Sequence, residues 1–131
     1  MARILLAEDE EVLRSMLVRA FQNDHEVTAA ADGAEALDIL TAAQGAFDLL
    51  LTDIRMPLMD GIALALAAAR DYPQLTILMM TGFADQRERA HGLDALIHDV
   101  VTKPFSLAQI REAVAGALAS KGQNALAAST S

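Results

Sequence analysis

Short apolar runs alternate with amphipathic stripes five times along the chain, and this alternation constrains the fold more than any other feature. The runs are bounded by polar or turn residues, as is typical of strands buried on both faces, and lie at 3–7, 26–30, 48–52, 76–81 and 97–102. A helical stripe follows each run, and we predict the first to be capped by Asp9, the third to begin at Asp60-Gly61 and the fifth at Ser106. The fourth, Asp85–Gly92, is weak and charged. Five strand–helix units in strict order predict an α/β domain with a doubly wound parallel sheet.

The length and composition exclude several classes of protein. A chain of 131 residues is long enough for one domain, which we place at 1–120, with a flexible tail at 121–131. The net charge of −8 disfavours binding to nucleic acid, and the absence of cysteine removes disulfides and thiolate chemistry. The apolar runs are too short for a membrane span, and the first residues do not form a signal peptide. We therefore expect a cytoplasmic protein.

The acidic residues are concentrated in the first half of the chain. Residues 1–60 carry 4 basic and 12 acidic side chains, whereas residues 61–131 carry 6 of each. Several polar side chains follow the predicted strands directly, namely Glu8, Asp9, Asp53, Thr81 and Lys103. In open parallel sheets these strand ends meet at the edge where ligands bind. Carboxylates gathered there favour a hard cation such as Mg2+, and an aspartate beside it can attack phosphorus.

The spacing of four motifs resembles that of the receiver domain of two-component response regulators. The motifs are Glu8-Asp9-Glu10, Asp53 with the loop Met56–Gly61, Thr81-Gly82, and Lys103-Pro104-Phe105, and they span about residues 2–120. This resemblance implies a flavodoxin-like, CheY-like sheet of strand order 2-1-3-4-5 with five helices. It also implies a cis peptide before Pro104.

The resemblance further implies a role for each site residue. Asp53 is expected to accept a phosphoryl group from a histidine kinase or a histidine phosphotransferase. Glu8, Asp9, Asp53 and the backbone carbonyl of Arg55 are expected to hold Mg2+, and Thr81 and Lys103 are expected to contact the phosphoryl oxygens. Glu8 stands where the family usually has aspartate, so its metal contact is expected to shift or to pass through water.

A switching face is expected near the fourth helix, the fifth strand and the fifth helix. The family often has an aromatic residue three positions before the lysine, but Val100 stands there, and Phe83 or His98 could move instead. Arg87 and Arg89 form either a solvated helix face or a surface for a partner. Phe105 completes the candidate face. We expect a monomer or a weak dimer.

The segments 80–90 and 99–105 are similar to CpdR-type single-domain regulators of alphaproteobacteria. That similarity implies a stand-alone adaptor whose unphosphorylated form binds the ClpX unfoldase and promotes proteolysis. Similar segments occur in receivers attached to hybrid kinases, so a phosphorelay intermediate that passes the phosphoryl group onward is a second possibility.

Two other classes fit the sequence poorly. Phosphatases of the haloacid-dehalogenase type use an aspartate nucleophile with a second aspartate two residues later, where this chain has Arg55. A flavodoxin-like cofactor binder needs a phosphate-binding loop after its first strand, where this chain has acids. We therefore expect a signalling protein and no enzyme.

Overall fold

The computed structural model of the protein describes residues 1–82, 89–90 and 92–130, and the side chains of residues up to 120 within that range. Five strands, β1 (Arg3–Ala7), β2 (Glu26–Ala30), β3 (Leu49–Asp53), β4 (Thr76–Thr81) and β5 (Asp99–Thr102), pair in parallel in the order β2-β1-β3-β4-β5. The predicted sheet is therefore confirmed, with the bounds of three strands as predicted.

Four helices are found in the described part of the chain: α1 (Glu11–Phe21), α2 (Gly33–Ala42), α3 (Gly61–Asp71) and α4 (Leu107–Thr130). The predicted helix Asp85–Gly92 lies mostly outside the described residues, although residues 89 and 90 are helical. Helix α4 continues past residue 120, and the domain boundary placed there stays a prediction. No helix in the described ranges has the length and apolar character needed to cross a bilayer.

The apolar runs are buried because alternate side chains point to opposite faces of the sheet. On β1, Leu5 packs with α2 and α3, whereas Ile4 and Leu6 pack with α1 and α4. Strands β3 and β4 repeat this division, so each face of the sheet carries its own core. Burying one such leucine contributes about 1.5–3 kcal/mol. These two cores hold the strand ends in fixed positions.

Several predicted boundaries differ from the structure, and strand β3 is shifted by one residue, from 48–52 to Leu49–Asp53. The cap of α1 is Glu10 and makes no side-chain hydrogen bond, so the prediction that Asp9 caps this helix was wrong. Strand β5 begins at Asp99 and not at residue 97, because the amide of Ile97 donates to the carbonyl of Leu93 in a preceding turn. Ile97 is nevertheless buried in the core, which explains why its sequence pattern resembled a strand.

Candidate functional site

The carboxyl edge of the sheet brings four of the predicted site residues together. Glu8 and Asp9 follow β1, Asp53 is the last residue of β3, and Lys103 follows β5. Carboxylate oxygens of Glu8, Asp9 and Asp53 all lie within 4.8 Å of one another. The cluster found here is the one that the positions of the acids in the sequence predicted.

Lys103 connects two of these carboxylates. Its Nζ donates to Oε1 of Glu8 at 2.9 Å and to Oδ2 of Asp53 at 3.1 Å. The peptide bond between Lys103 and Pro104 is cis, as expected, and the amide of Lys103 donates to the carbonyl of Thr81 at 2.7 Å. Burial disfavours the ammonium, but the hydrogen bond and the charges of the two acids outweigh it, so the pKa of Lys103 is raised. The ammonium therefore stays charged between the two acids.

Glu8 is the most deeply buried acid of the site, with none of its surface exposed. Burial is the main reason why its pKa is raised to about 7, and the hydrogen bonds from Glu10 N–H and Lys103 only partly oppose this. The longer side chain was expected to alter a metal contact. In the structure it reaches Lys103 directly, while Oε2 accepts from the amide of Glu10 at 3.0 Å.

Asp53 is also buried, with 7% of its surface exposed. Its Oδ1 accepts from the amide of Ile54 at 2.9 Å, which leaves Oδ2 facing Lys103. Burial raises the pKa of Asp53, and Lys103 opposes that effect. One oxygen is therefore fixed by the backbone, and the other faces the Lys103 ammonium.

The donor set fits a hard divalent cation. Two buried carboxylates and one exposed carboxylate offer oxygen ligands, which are the ligands that Mg2+ prefers. Burial raises the pKa of Glu8, so the metal-free site favours the protonated form of this acid. Glu8, Asp9 and Asp53 are the residues that would hold Mg2+. The role of the Arg55 carbonyl stays a prediction.

Thr81 ends β4 and is 2% exposed. It pairs in register with Thr102, one residue before Lys103, while Met80 on the same strand pairs with Asp53. This register places Thr81 at the same sheet edge as the acids. Its contact with a phosphoryl oxygen stays a prediction.

The loop after Asp53 is held in place by close backbone contacts with two glycines. A Cβ on Gly61 would lie 2.1 Å from the carbonyl oxygen of Asp53, and a Cβ on Gly33 would lie 2.2 Å from that of Met59. The amide of Gly61 donates to the carbonyl of Ile54 at 2.7 Å, and Leu58 adopts a left-handed φ of 67°. Side chains larger than hydrogen at both glycines would therefore displace the loop.

The candidate switching face is only partly described. His98 is exposed, Val100 and Phe105 are half-buried, and Phe83 and Arg87 lie outside the described residues. Val100 packs on the core shared with α2 and α3, whereas Phe105 packs on the core shared with α1 and α4. The two side chains therefore contact opposite layers.

Two contacts beside the site were not expected from the sequence. Arg89 Nη2 donates to Oδ2 of Asp60 at 3.2 Å, and Arg14 Nη1 donates to the carbonyls of Glu8 and Asp9 at 3.0 and 3.4 Å. A basic residue in the second turn of a helix that starts with acids is the signal that could have identified Arg14. The Arg89 contact joins residues far apart in sequence, so no local pattern indicates it.

Asp60 both caps α3 and pairs with Arg89, and two substitutions of Asp60 distinguish the contributions of the cap and the ion pair. Oδ1 of Asp60 accepts from the amide of Ala63 at 2.9 Å. We expect Asp60→Ala to lower the free energy of unfolding by about 1 kcal/mol, since the cap is lost. Asp60→Asn retains a capping oxygen and should lose much less, because exposed ion pairs contribute little. Urea denaturation followed by circular dichroism measures both, and equal losses would show that the ion pair dominates.

Comparison with known proteins agrees with this geometry. The family model described as the response regulator receiver domain matches residues 4–115. The response regulator receiver protein CpdR of Brucella abortus is 43% identical over 108 residues, which cover 82% of this chain and 88% of CpdR. The sensor kinase CckA of the same organism is 36% identical over 115 residues, or 86% of this chain.

The chain spans different shares of its relatives. It covers 12% of the length of CckA and of the sensor histidine kinase TmoS of Ectopseudomonas mendocina, and 47% of the response regulator MprA of Mycobacterium avium. Among the relatives named here, CpdR is the one that this chain covers over most of its length, at 88%.

Solved structures show the same fold. A response regulator receiver domain protein from Clostridium thermocellum aligns with a TM-score of 0.85 at 22% identity, over 94% of this chain and 98% of that chain. The response regulator TrrA of Thermotoga maritima, solved in complex with Mg(2+)-BeF, aligns with a TM-score of 0.79 at 27% identity, over 89% and 99%. The predicted CheY-like sheet is therefore confirmed.

Proposed function

Because the chain belongs to the response regulator receiver family, we propose that it accepts a phosphoryl group on Asp53 from a phosphohistidine donor in the presence of Mg2+. The observation that carries the proposal is the convergence of three carboxylates and the Lys103 ammonium at one sheet edge. The structure of TrrA with Mg(2+)-BeF, a related protein, supports the choice of cation.

We assign separate tasks to the two oxygens of Asp53. Oδ1 stays fixed on the amide of Ile54, and Oδ2 attacks phosphorus as the bond to the donor imidazole nitrogen breaks. That nitrogen keeps the bonding electron pair. Bound Mg2+ would offset the negative charge of the carboxylates and the phosphoryl oxygens.

Lys103 and Thr81 act on the transferred group. The Nζ of Lys103, now 3.1 Å from Oδ2 of Asp53, donates to a phosphoryl oxygen once Oδ2 is phosphorylated, while its contact with Glu8 keeps it at the edge. Thr81 supplies a hydroxyl from the end of β4. Their new bonds favour one of two conformations of the adjoining face, which transmits the signal.

Intact-mass spectrometry tests the chemistry. The protein is incubated with acetyl phosphate, with and without Mg2+, and the modified residue is located in the tryptic peptide 20–55. We expect one phosphate per chain only with Mg2+, on Asp53. Modification elsewhere in the chain, or equal modification in EDTA, would contradict the proposal.

The output that we propose is adaptor binding. The match to CpdR over 88% of that protein supports this choice. By the resemblance described above, the unphosphorylated chain binds the ClpX unfoldase, and phosphorylation of Asp53 releases it. A single receiver domain can act in this way because phosphorylation changes its binding surface for a partner protein.

A pull-down with purified ClpX tests the adaptor. Wild type and Asp53→Ala should both bind without phosphate, and acetyl phosphate should release the wild type alone. Absence of binding by both proteins would reject the adaptor role. The similarity to CckA and TmoS favours the second candidate, an intermediate of a phosphorelay. Transfer of phosphate from Asp53 to a histidine phosphotransferase would then be observed.

A further inference from the structure

Arg14 is placed to hold the turn that carries two of the acids. It lies in the second turn of α1, is half-buried, and its Nη1 donates to the carbonyl of Glu8 at 3.0 Å and more weakly to that of Asp9 at 3.4 Å. Glu10 and Glu11, one turn before it, offer carboxylates. Within the described part of the chain, however, the hydrogen bonds of the Arg14 side chain go to these carbonyls.

The rest of the turn is fixed by other contacts at Glu8. Its amide donates to the carbonyl of Ala30 at 3.1 Å, and its carboxylate accepts from Glu10 N–H and from Lys103. Asp9 differs, since its side chain is exposed and makes no cap for α1. Its carboxylate direction therefore depends on the orientation of its backbone, which Arg14 contacts at the carbonyls before and after the Asp9 Cα.

We propose that Arg14 is a positioning residue for Mg2+ binding, which it favours by orienting the Glu8–Asp9 turn. This inference rests on the proposed function, because it requires Mg2+ at Glu8, Asp9 and Asp53. Arg14 touches neither the metal nor the phosphoryl group. Groups that orient metal ligands commonly change metal affinity by about 10–100-fold when they are removed.

The charge of Arg14 opposes Mg2+ binding, whereas its hydrogen bonds to the turn favour it. A guanidinium near three carboxylates repels a second cation, so a purely electrostatic role predicts that its removal tightens Mg2+ binding. A purely structural role in α1 predicts a lower melting temperature with unchanged Mg2+ affinity. The sign of the change in affinity therefore separates the three roles.

Isothermal titration calorimetry with Mg2+ tests the proposal on the full chain. We expect Arg14→Met to weaken Mg2+ binding by about 10-fold, and Arg14→Lys, which keeps the charge but changes the donor geometry, to lie between Arg14→Met and the wild type. Arg19→Met, from the last turn of the same helix, is the matched control and should bind as the wild type does. In the metal-free protein, the amide resonances of Asp9 and Glu10 should shift in Arg14→Met and not in Arg19→Met.

The outcomes separate this inference from the proposed function. Wild-type protein that fails to bind Mg2+ would overturn both. Wild type that binds Mg2+, with equal or tighter binding by Arg14→Met, would overturn the inference alone. If Arg14→Met fails to fold, unchanged affinity in Arg14→Lys together with unshifted Asp9 and Glu10 resonances would overturn it.

Discussion

Asp53→Asn is expected to reduce phosphate uptake from acetyl phosphate from one phosphate per chain to background. The amide lacks the charged oxygen that attacks phosphorus, whereas its carbonyl oxygen can still accept from Ile54 N–H. The fold should be retained, because burial already penalises the charge of Asp53 and raises its pKa. Intact mass measures the uptake, and circular dichroism measures the fold.

Two other acids serve as controls for this loss. Asp9→Asn should raise the Mg2+ concentration needed for uptake but still permit it, since Asp9 is a metal ligand in the proposal and no nucleophile. Asp38→Asn removes an exposed acid of α2 and should leave uptake unchanged. Uptake by Asp53→Asn at the wild-type level would move the acceptor to another residue.

Lys103→Met is expected to destabilise the metal-free protein more at pH 8 than at pH 5. The substitution leaves Glu8 and Asp53 in a buried site without their shared cation, which costs about 3 kcal/mol when both are charged. The pKa of Glu8 is about 7 in the folded wild type and 4.5 as its ordinary value. The protonation of Glu8 therefore contributes stability that is complete below pH 4.5 and is lost as pH rises through about 7.

Removing Lys103 raises the pKa of Glu8 further, so this loss with pH becomes larger. At pH 5 Glu8 is protonated in the folded state of both proteins, so only Asp53 can be left as an unpaired charge, and the difference between the two proteins should be smaller than at pH 8. Urea denaturation in EDTA at the two pH values measures the difference. Millimolar Mg2+ should restore part of the stability at pH 8, because a bound cation replaces the missing charge. A loss of the same size at both pH values would show that packing of the lysine stem is responsible.

Arg70→Met provides the control for charge removal. Arg70 pairs with Asp71 on the surface, where both side chains are largely exposed. Its removal should leave the difference in stability between pH 5 and pH 8 unchanged. A similar pH effect in this variant would indicate a general effect of net charge.

The sequence predicted the sheet and the acidic cluster because both follow from short-range patterns. Apolar runs such as 3–7 are strands buried on both faces, and polar residues directly after them must meet at one edge. The same reasoning predicts that Glu8, Asp53 and Lys103 lie together, and the distances agree. The roles of these residues in phosphoryl transfer stay predictions.

Other features depend on tertiary contacts that local patterns do not contain. Asp9 has the residue type of a helix cap, but the chain begins α1 after Glu10 and leaves the carboxylate of Asp9 with the cluster. The direct contact between Glu8 and Lys103 joins residues from opposite ends of the domain. Side-chain length suggested that the glutamate would behave differently, but only the structure showed which partner it reaches.

The two close glycine contacts restrict how the protein can be stabilised. Replacing a helical glycine with alanine usually improves stability by about 1 kcal/mol, and Gly116 in α4 is suited to it, because an added methyl group would meet no neighbouring element within 4 Å. Gly33 and Gly61 also open helices, so a design guided by helix propensity alone would select them. Gly61→Ala would push on the backbone of Asp53 and Ile54, and Gly33→Ala would push on Met59 in the loop that follows. Glycine-to-alanine substitution should therefore be avoided where a helix begins against the loop that follows Asp53, because the backbones there are too close to admit a methyl group.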